Sequence, residues 1–594
     1  MVAGREFLFQ LLASCAIGLG LWYLIWRWGA GINLEAPLYS AIVAAAETAA
    51  WIGLVLFTFN LWADRPVKVQ PLPRARRELH LEGEGPISVD VFVTTCDEEP
   101  ELVRLSLRDA RRLRRPAGVR VRVHCLDDGN RPAMARVARE EGAGYITRTD
   151  NAGFKAGNIK NALLRTTGDF VVICDADTRL FPSFLEHTLG HFRDPRLAFV
   201  QTPHWFYDIP PDRPLEERLA ESFPRLGRAV RHLPARLRRW RGGGDPFGVD
   251  GGMFSDVILR QRNRHGAAFC CGAASIHRRR ALLEGAFAAC RNEAGRVLAG
   301  LPLTRPGRAL RHRGRLLCLR PLEPFRFHVS EDIFSSIDLH ETGWRSLLHP
   351  WIESRMLSPQ ELASWAAQRR KYAGGSMDIA INDRPLGRYG LPLWHKLHYA
   401  STFWSYFLAP ATLVLLMAPV FTLTTGISPV GVDARVFLLH LLPFLLVNEA
   451  ALLVGSWGHN AWAGRLLNIA CAPINLGAIV KALRKRRTRF VPTPKLPVGG
   501  RSTRVLRPHA AMAAALALAF LPALLRLWQT PLPEAKSALV LNGFWALSNL
   551  VALGFALRMG RIRPPEVPTD DRRMPPPRPH DTRAPQKRQP VRTA

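Results

Sequence analysis

Six long, nearly uncharged apolar runs constrain this chain more than any other feature: residues 7–26, 38–62, 403–423, 436–454, 510–528 and 538–557. A helix needs ~20 predominantly apolar residues to cross a bilayer, and each run is near that length. The first is too long, and too poorly followed by a small-residue cleavage site, for a removed signal peptide, so it reads as an anchor. Overall composition hides this division. Apolar residues make up 47% and charged residues 22% of the 594, close to globular averages only because two unlike populations are averaged. A simple soluble enzyme, a disordered chain, a collagen and a disulfide scaffold are excluded.

Charge orients the runs. Lys and Arg number 81 against 49 Asp and Glu, a formal net charge of +32. The basic residues crowd into the long central segment, into 481–489 and into the tail, whereas the short connections 30–37 and 424–435 are almost uncharged. That asymmetry follows the positive-inside rule and puts the central segment and both termini in the cytoplasm. A nucleic-acid partner is disfavoured, because no aromatic-interleaved basic motif is present. Nine cysteines form no C-x-x-C pair and sit largely in apolar contexts, which reads as reduced core thiols.

Two runs carry an acid, Glu47 and Glu449. Ionisable groups at membrane depth line a wet cavity or satisfy one another between helices, and sequence leaves both readings open. Trp404 and Trp457 are likewise channel contacts or interface anchors. Residues 459–489 contain Pro473 and end in a basic cluster, too polar to span and suited to an interfacial helix.

The central segment alternates strand and helix patterns. Strands are expected at 87–94, 119–126, 170–174 and 197–200, with helices at 100–113, 134–141 and 182–192. That alternation predicts a parallel, doubly wound sheet, in which ligands bind beyond the carboxyl ends of the strands. The acids stand there. Residues 119–126 run into Asp127-Asp128-Gly129, and 170–174 into Asp175-Ala176-Asp177. Two carboxylates at i and i+2 can share a hard divalent cation such as Mg²⁺ or Mn²⁺. Lys155-Ala156-Gly157-Asn158 lies between them, a cation and a glycine suited to a phosphate.

These motifs, with Val93-Thr94-Thr95-Cys96-Asp97-Glu98, Gln201-Thr202-Pro203, Phe269-Cys270-Cys271-Gly272, Ser330-Glu331-Asp332 and Gln368-Arg369-Arg370-Lys371-Tyr372, resemble in order those of membrane-embedded family-two glycosyltransferases of the cellulose synthase-like group. The resemblance implies an α/β, Rossmann-like catalytic domain of the glycosyltransferase-A type inserted into a helical membrane domain of about six spans. On that reading 1–63 hold two spans, 64–398 the catalytic domain, 399–458 two spans, 459–509 the interfacial helix and gating loop, 510–557 two spans, and 558–594 a disordered basic tail.

The resemblance also implies roles. Asp332 would be the general base. Asp127, Asp128, Lys155, Asp175, Asp177, Gln368 and Lys371 would hold the nucleotide sugar, joined by Thr493 and Lys495 of a gating loop at 490–495. Asp175 and Asp177 would hold the metal, Mg²⁺ or Mn²⁺, and Glu331, Tyr372, Cys271 and Gly272 would face the acceptor. The implied protein is an inverting, processive hexosyltransferase of a bacterial inner membrane. It would polymerise sugar from a UDP-sugar, UDP-glucose foremost, and pass the glycan through the bilayer, with room for a periplasmic accessory subunit. Lys371-Tyr372 departs from the usual Arg-Trp and loses the bidentate fork of arginine. The alternatives are therefore another UDP-sugar, a non-processive transfer to a lipid-linked acceptor, or a non-catalytic membrane subunit.

Overall fold

Seven strands build one mixed sheet: β1 Ile87–Thr95, β2 Val119–Asp127, β3 Gly144–Thr147, β4 Phe170–Asp175, β5 Leu197–Gln201, β6 Ser275–Arg278 and β7 Arg345–Leu348. Their spatial order is β7-β5-β6-β4-β1-β2-β3. This computed structural model describes residues 2–209, 251–299, 322–359, 361–456, 461–488, 503–529 and 533–562, with His459 and scattered positions between 213 and 248. The expectation of an all-parallel sheet needs correction. β6 runs antiparallel to both of its neighbours, β4 and β5, while the other pairs are parallel.

The period of two sorts the core onto two faces. Val89, Val91 and Val93 pack with Val103 and Leu107 of the helix Pro100–Arg111 and with Met134 and Val137 of Pro132–Glu140. On the opposite face, Phe92, Leu126, Val171 and Ile173 pack against Ile159 and Leu163 of Phe154–Arg165. Both faces are covered, so strands β1 and β4 are buried almost throughout their length.

Among the described residues outside the sheet domain, seven helical segments are long and apolar enough to cross a membrane: Gly4–Trp28, Pro37–Leu61, Leu393–Thr425, Ala434–Gly455, Ala461–Leu483, Thr503–Gln529 and Lys536–Arg561. Six match the expected runs. The additional one, Ala461–Leu483, falls in the stretch read from sequence as interfacial. Both of its ends contact residues of the central segment. His459, just before it, lies 3.6 Å from Asp256, and the carbonyl of Ala482 accepts from Asn382 at 3.4 Å.

The two acids in the apolar runs are both paired with arginine. Glu47 accepts from Arg27 at 3.0 Å, and Glu449 accepts from Arg465. The fully buried Arg27 also donates to the carbonyls of Gly31, Ser40 and Pro429 and to the Ser40 hydroxyl. It thereby ties two short connections together, next to a backbone bridge between Ile32 and Val430. Trp404 donates to the carbonyl of Ala49, a contact between helices, and Trp457 lies outside the described residues. The eight described cysteines are all free.

The sheet domain docks on the ends of Pro37–Leu61 and Leu393–Phe407. His398 bonds Asn60 at 2.6 Å and His265 at 2.9 Å, while Arg262 donates to Thr402 at 2.7 Å.

Candidate active site

Register assembles the site. Thr95 of β1 stands opposite Asp127 of β2, and Thr94 opposite Asp175 of β4, so the two acidic strand ends flank the end of β1. Asp127, however, is fully buried and already engaged. Its carboxylate accepts from the amides of Gly129 and Arg131 at 3.0 and 2.8 Å, from the Arg131 guanidinium, and from the Tyr145 hydroxyl at 2.9 Å. Arg131 reaches on to Thr95 and the carbonyl of Glu98. In this structure Asp127 braces the turn.

Asp128 faces Arg148, which grips it through two hydrogen bonds of 2.7 and 2.8 Å. Such a two-pronged pair is strong and directional. Sequence reading did not single out Arg148. The only available signal was its place directly after β3, whose Thr147 pairs with Asp127.

The Lys-Ala-Gly-Asn motif opens the helix Phe154–Arg165. Asn158 donates to the carbonyl of Leu126 at the end of β2. Gly157 is required, because a Cβ there would fall 1.9 Å from the carbonyl oxygen of Ala152. Lys155 projects to Asp175 and donates to it at 2.5 Å, and to the carbonyl of Gly272 at 2.6 Å. Asp177 is buried, and one of its oxygens accepts from the amide of Leu357 at 3.1 Å.

The loop carrying Cys271 and Gly272 is held by Gln201 at the end of β5. The Gln201 side chain accepts from the Cys271 amide at 2.7 Å and donates to the carbonyl of Ala273 at 2.8 Å. Thr202 donates to Ala274 at 2.8 Å. Burial pushes the thiols of Cys270 and Cys271 up, the first to about 12, so neither is a thiolate at neutral pH.

Asp332 closes the ring of groups. It stands in the first turn of Glu331–Glu341, and its Oδ2 is 3.2 Å from where a Cβ on Gly272 would lie, with Lys155 Nζ 3.7 Å from the same point. Gly272 has φ +84° and a bare Cα, so carboxylate, ammonium and loop converge there without a side chain between them. Burial, then the adjacent Glu331, raise the Asp332 carboxyl to about 6, against the pull of the Ile333 amide, Lys371 and Lys155.

Gln368, Lys371 and Tyr372 ride on Leu362–Asp378. Tyr372 is exposed, and the Arg369 guanidinium sits 6.0 Å from its ring and 5.9 Å from Trp365. Gly374 and Gly375 let this helix close on Thr488 and Ser330, since added Cβ atoms would meet their hydroxyls at 2.3 and 2.0 Å. Thr493 and Lys495 lie outside the described residues.

Among the described residues no group of three or more His, Cys, Asp or Glu is arranged to hold a metal. Asp175 and Asp177 still suit a hard cation. Asp175 is about one-third exposed at the rim, and Mg²⁺ takes one or two carboxylates, completing its shell with water and phosphate oxygens.

The family model for glycosyl transferase family 2 matches residues 90–284, and that for glycosyl transferase family group 2 matches 247–453. The chain is 27% identical over 553 residues to cellulose synthase 2 of Novacetimonas hansenii, across 91% of this chain and 30% of that protein. It is 26% identical over 550 residues to the cellulose synthase 1 catalytic subunit [UDP-forming] of Komagataeibacter xylinus, across 91% of this chain and 64% of that one. The corresponding subunit of Pseudomonas fluorescens is 27% identical over 468 residues, across 78% of this chain and 54% of that one. The chain thus spans less than two-thirds of each of these relatives. Among solved structures, a mannosyltransferase from Pyrobaculum calidifontis in complex with GDP-Man and Mn²⁺ is similar over 76% of this chain and 100% of that one, with 17% identity and a TM-score of 0.44.

Proposed function

We propose, for a chain that belongs to the cellulose synthase-like group of family-two glycosyltransferases, that it polymerises sugar from a UDP-sugar, UDP-glucose foremost, by inverting transfer. The growing glycan passes through the chain's own helices. The observation that carries this is the meeting of Asp332, Lys155 and Asp175 around the bare Cα of Gly272. A carboxylate poised near pH 6 can take the proton of an acceptor hydroxyl at neutral pH, provided the hydroxyl lies within ~2.6–3.2 Å. One displacement on an α-linked donor then gives a β-linkage.

The departing UDP carries charge that Lys155 is placed to meet, and fixed charges in a dry site need no reorganisation at the moment of transfer. Asp175 and Asp177 would hold Mg²⁺ or Mn²⁺, whose role is to neutralise the diphosphate. Tyr372 offers an exposed ring face to the acceptor sugar. Asp127 acts as a brace, leaving Asp128 with its partner Arg148 nearer the nucleotide. The catalytic domain and both termini face the cytoplasm, with Ala461–Leu483 lying along the interface. A periplasmic accessory subunit completes the assembly.

The test is purified protein in lipid nanodiscs with Mg²⁺, offered UDP-glucose, UDP-N-acetylglucosamine and UDP-glucuronate separately, with Asp332→Asn as control. Polymer from UDP-glucose, lost in the variant, is the expected outcome. UDP release without polymer would turn the assignment to a non-processive transfer onto a lipid-linked acceptor, and no release from any donor would overturn it.

A further inference from the structure

A cavity of about 390 Å³, lined by none of the residues of the candidate active site, opens where the sheet domain meets the middle of Val2–Trp28 and the end of Pro37–Leu61. Its size falls in the ~300–1,000 Å³ range of ligand pockets. Ile17, Val55 and Thr58 form one wall, and Trp62 and Trp394 stand at its rim. Both tryptophans are exposed, as is Leu393 beside them. Tryptophans at helix ends mark the headgroup level of a bilayer.

One cation faces this otherwise apolar space. The Arg264 guanidinium lies 4.9 Å from the Phe59 ring and donates to the Phe59 carbonyl at 2.5 Å. No carboxylate oxygen of a described residue comes within 4.0 Å of it. The nearby Arg260, by contrast, is matched by Asp64 at 2.8 Å. Glu6 is the acid whose charge acts on Arg264, but only from beyond ion-pair contact, so the half-buried guanidinium has room for an anion against it, and phosphate oxygens accept well from its planar fork.

We propose that this groove holds one anionic phospholipid of the leaflet that faces the catalytic domain. An acyl chain lies along Ile17, Val55 and Thr58, and the phosphate lies against Arg264. The lipid then belongs to the joint between domain and helices, beside the His265–His398–Asn60 hydrogen bonds. This inference rests on the membrane reading but not on the transferase reading.

The test uses the full chain purified in mild detergent. Native mass spectrometry follows titration with phosphatidylglycerol or phosphatidylcholine. Wild type should keep one phosphatidylglycerol per chain with about fivefold preference over phosphatidylcholine, the scale of one basic group at an anionic lipid surface. Arg264→Gln should lose the preference, and Thr58→Trp, which fills the cavity, should lose the retained lipid. Should Thr58→Trp fail to fold, photo-crosslinking of wild type with a diazirine-bearing phosphatidylglycerol reads the same site, with adducts expected at Ile17, Val55 or Thr58. Equal preference in Arg264→Gln, adducts only elsewhere, or displacement of the bound lipid by a polyprenyl phosphate would overturn the proposal. Release of the chain from membranes by a carbonate wash would instead show that the membrane reading had failed.

Discussion

The ammonium of Lys155 lies 2.5 Å from Oδ1 of Asp175, and it also donates to the carbonyl of Gly272. One side chain thus joins the start of a helix, the end of β4 and the loop that carries Gly272. Burial works against its charge, but Asp175, Glu331 and Asp332 outweigh burial and hold the lysine above its ordinary range. It remains a cation throughout the working pH range. Lys155→Met should therefore lower UDP release by about 10²–10³-fold, the usual cost of removing one preorganised charge-stabilising donor. Hydrogen exchange in 270–274 should rise at the same time, which a loss confined to donor binding would not produce.

The pH profile tests the base. If Asp332 is the base, as proposed, transfer needs its carboxylate, and with the carboxyl raised to about 6, kcat/KM should fall tenfold per unit below that pH. Glu331 is one of the two causes that push it up. Glu331→Gln should therefore move the acid limb to lower pH rather than abolish it. Stability runs in the opposite direction. A carboxyl raised in the folded state contributes stability below its ordinary value of 3.8 and loses that contribution as pH rises through 6. Asp332→Asn should be inactive yet melt no lower than wild type at pH 8, which separates loss of chemistry from loss of fold.

How much of this could be read from the chain depended on where each partner sits. The runs that became β1, β2, β4 and β5 carry apolar, often β-branched residues at least at every second position, and they were legible. β6 was not, because Ser-Ile-His-Arg reads as surface. Arg278 is buried there only because the carbonyls of Leu79, Phe192, Asp194 and Leu197 accept from it. Those acceptors are scattered over more than a hundred residues of chain, and the antiparallel strand went unseen with them. Asp127 shows the same limit at the site. Its position after β2 was plain, but the hydroxyl of Tyr145 that helps to saturate it comes from the next strand. The membrane acids Glu47 and Glu449 were equally ambiguous until Arg27 and Arg465 were seen beside them.

Close packing around the base gives a second test. A Cβ on Gly375 would lie 2.0 Å from the Ser330 hydroxyl and 2.8 Å from its Cβ, so Gly375→Ala must push Ser330, two residues before Asp332. Misplacing a catalytic group by about 1 Å can cost about 10²-fold. Gly375→Ala should lose at least about tenfold in kcat while keeping its fold, and Ser330→Gly in the same chain should restore much of it. Equal loss in the single and double variants would show that the helix itself, rather than the contact, was disturbed.

The clip at Arg27 stands apart from the chemistry. Its guanidinium has no exposed surface, and it satisfies Glu47, the Ser40 hydroxyl and the carbonyls of Gly31, Ser40 and Pro429. The Ser40 hydroxyl also donates to Pro429 at 2.6 Å, and Asn33 donates to the carbonyl of Ser428 at 2.7 Å. Removing the cation leaves a carboxylate and several carbonyls without donors. The cost of breaking one partner of a buried pair is about 3–5 kcal/mol. Arg27→Leu should accordingly lower the melting temperature in detergent, and Arg27→Leu with Glu47→Leu should recover part of it by removing the stranded charge. The catalytic groups sit at the other end of these helices, so UDP release per folded molecule should hardly change in either variant. A fall in turnover without a fall in melting temperature would instead assign the pair to the path of the glycan.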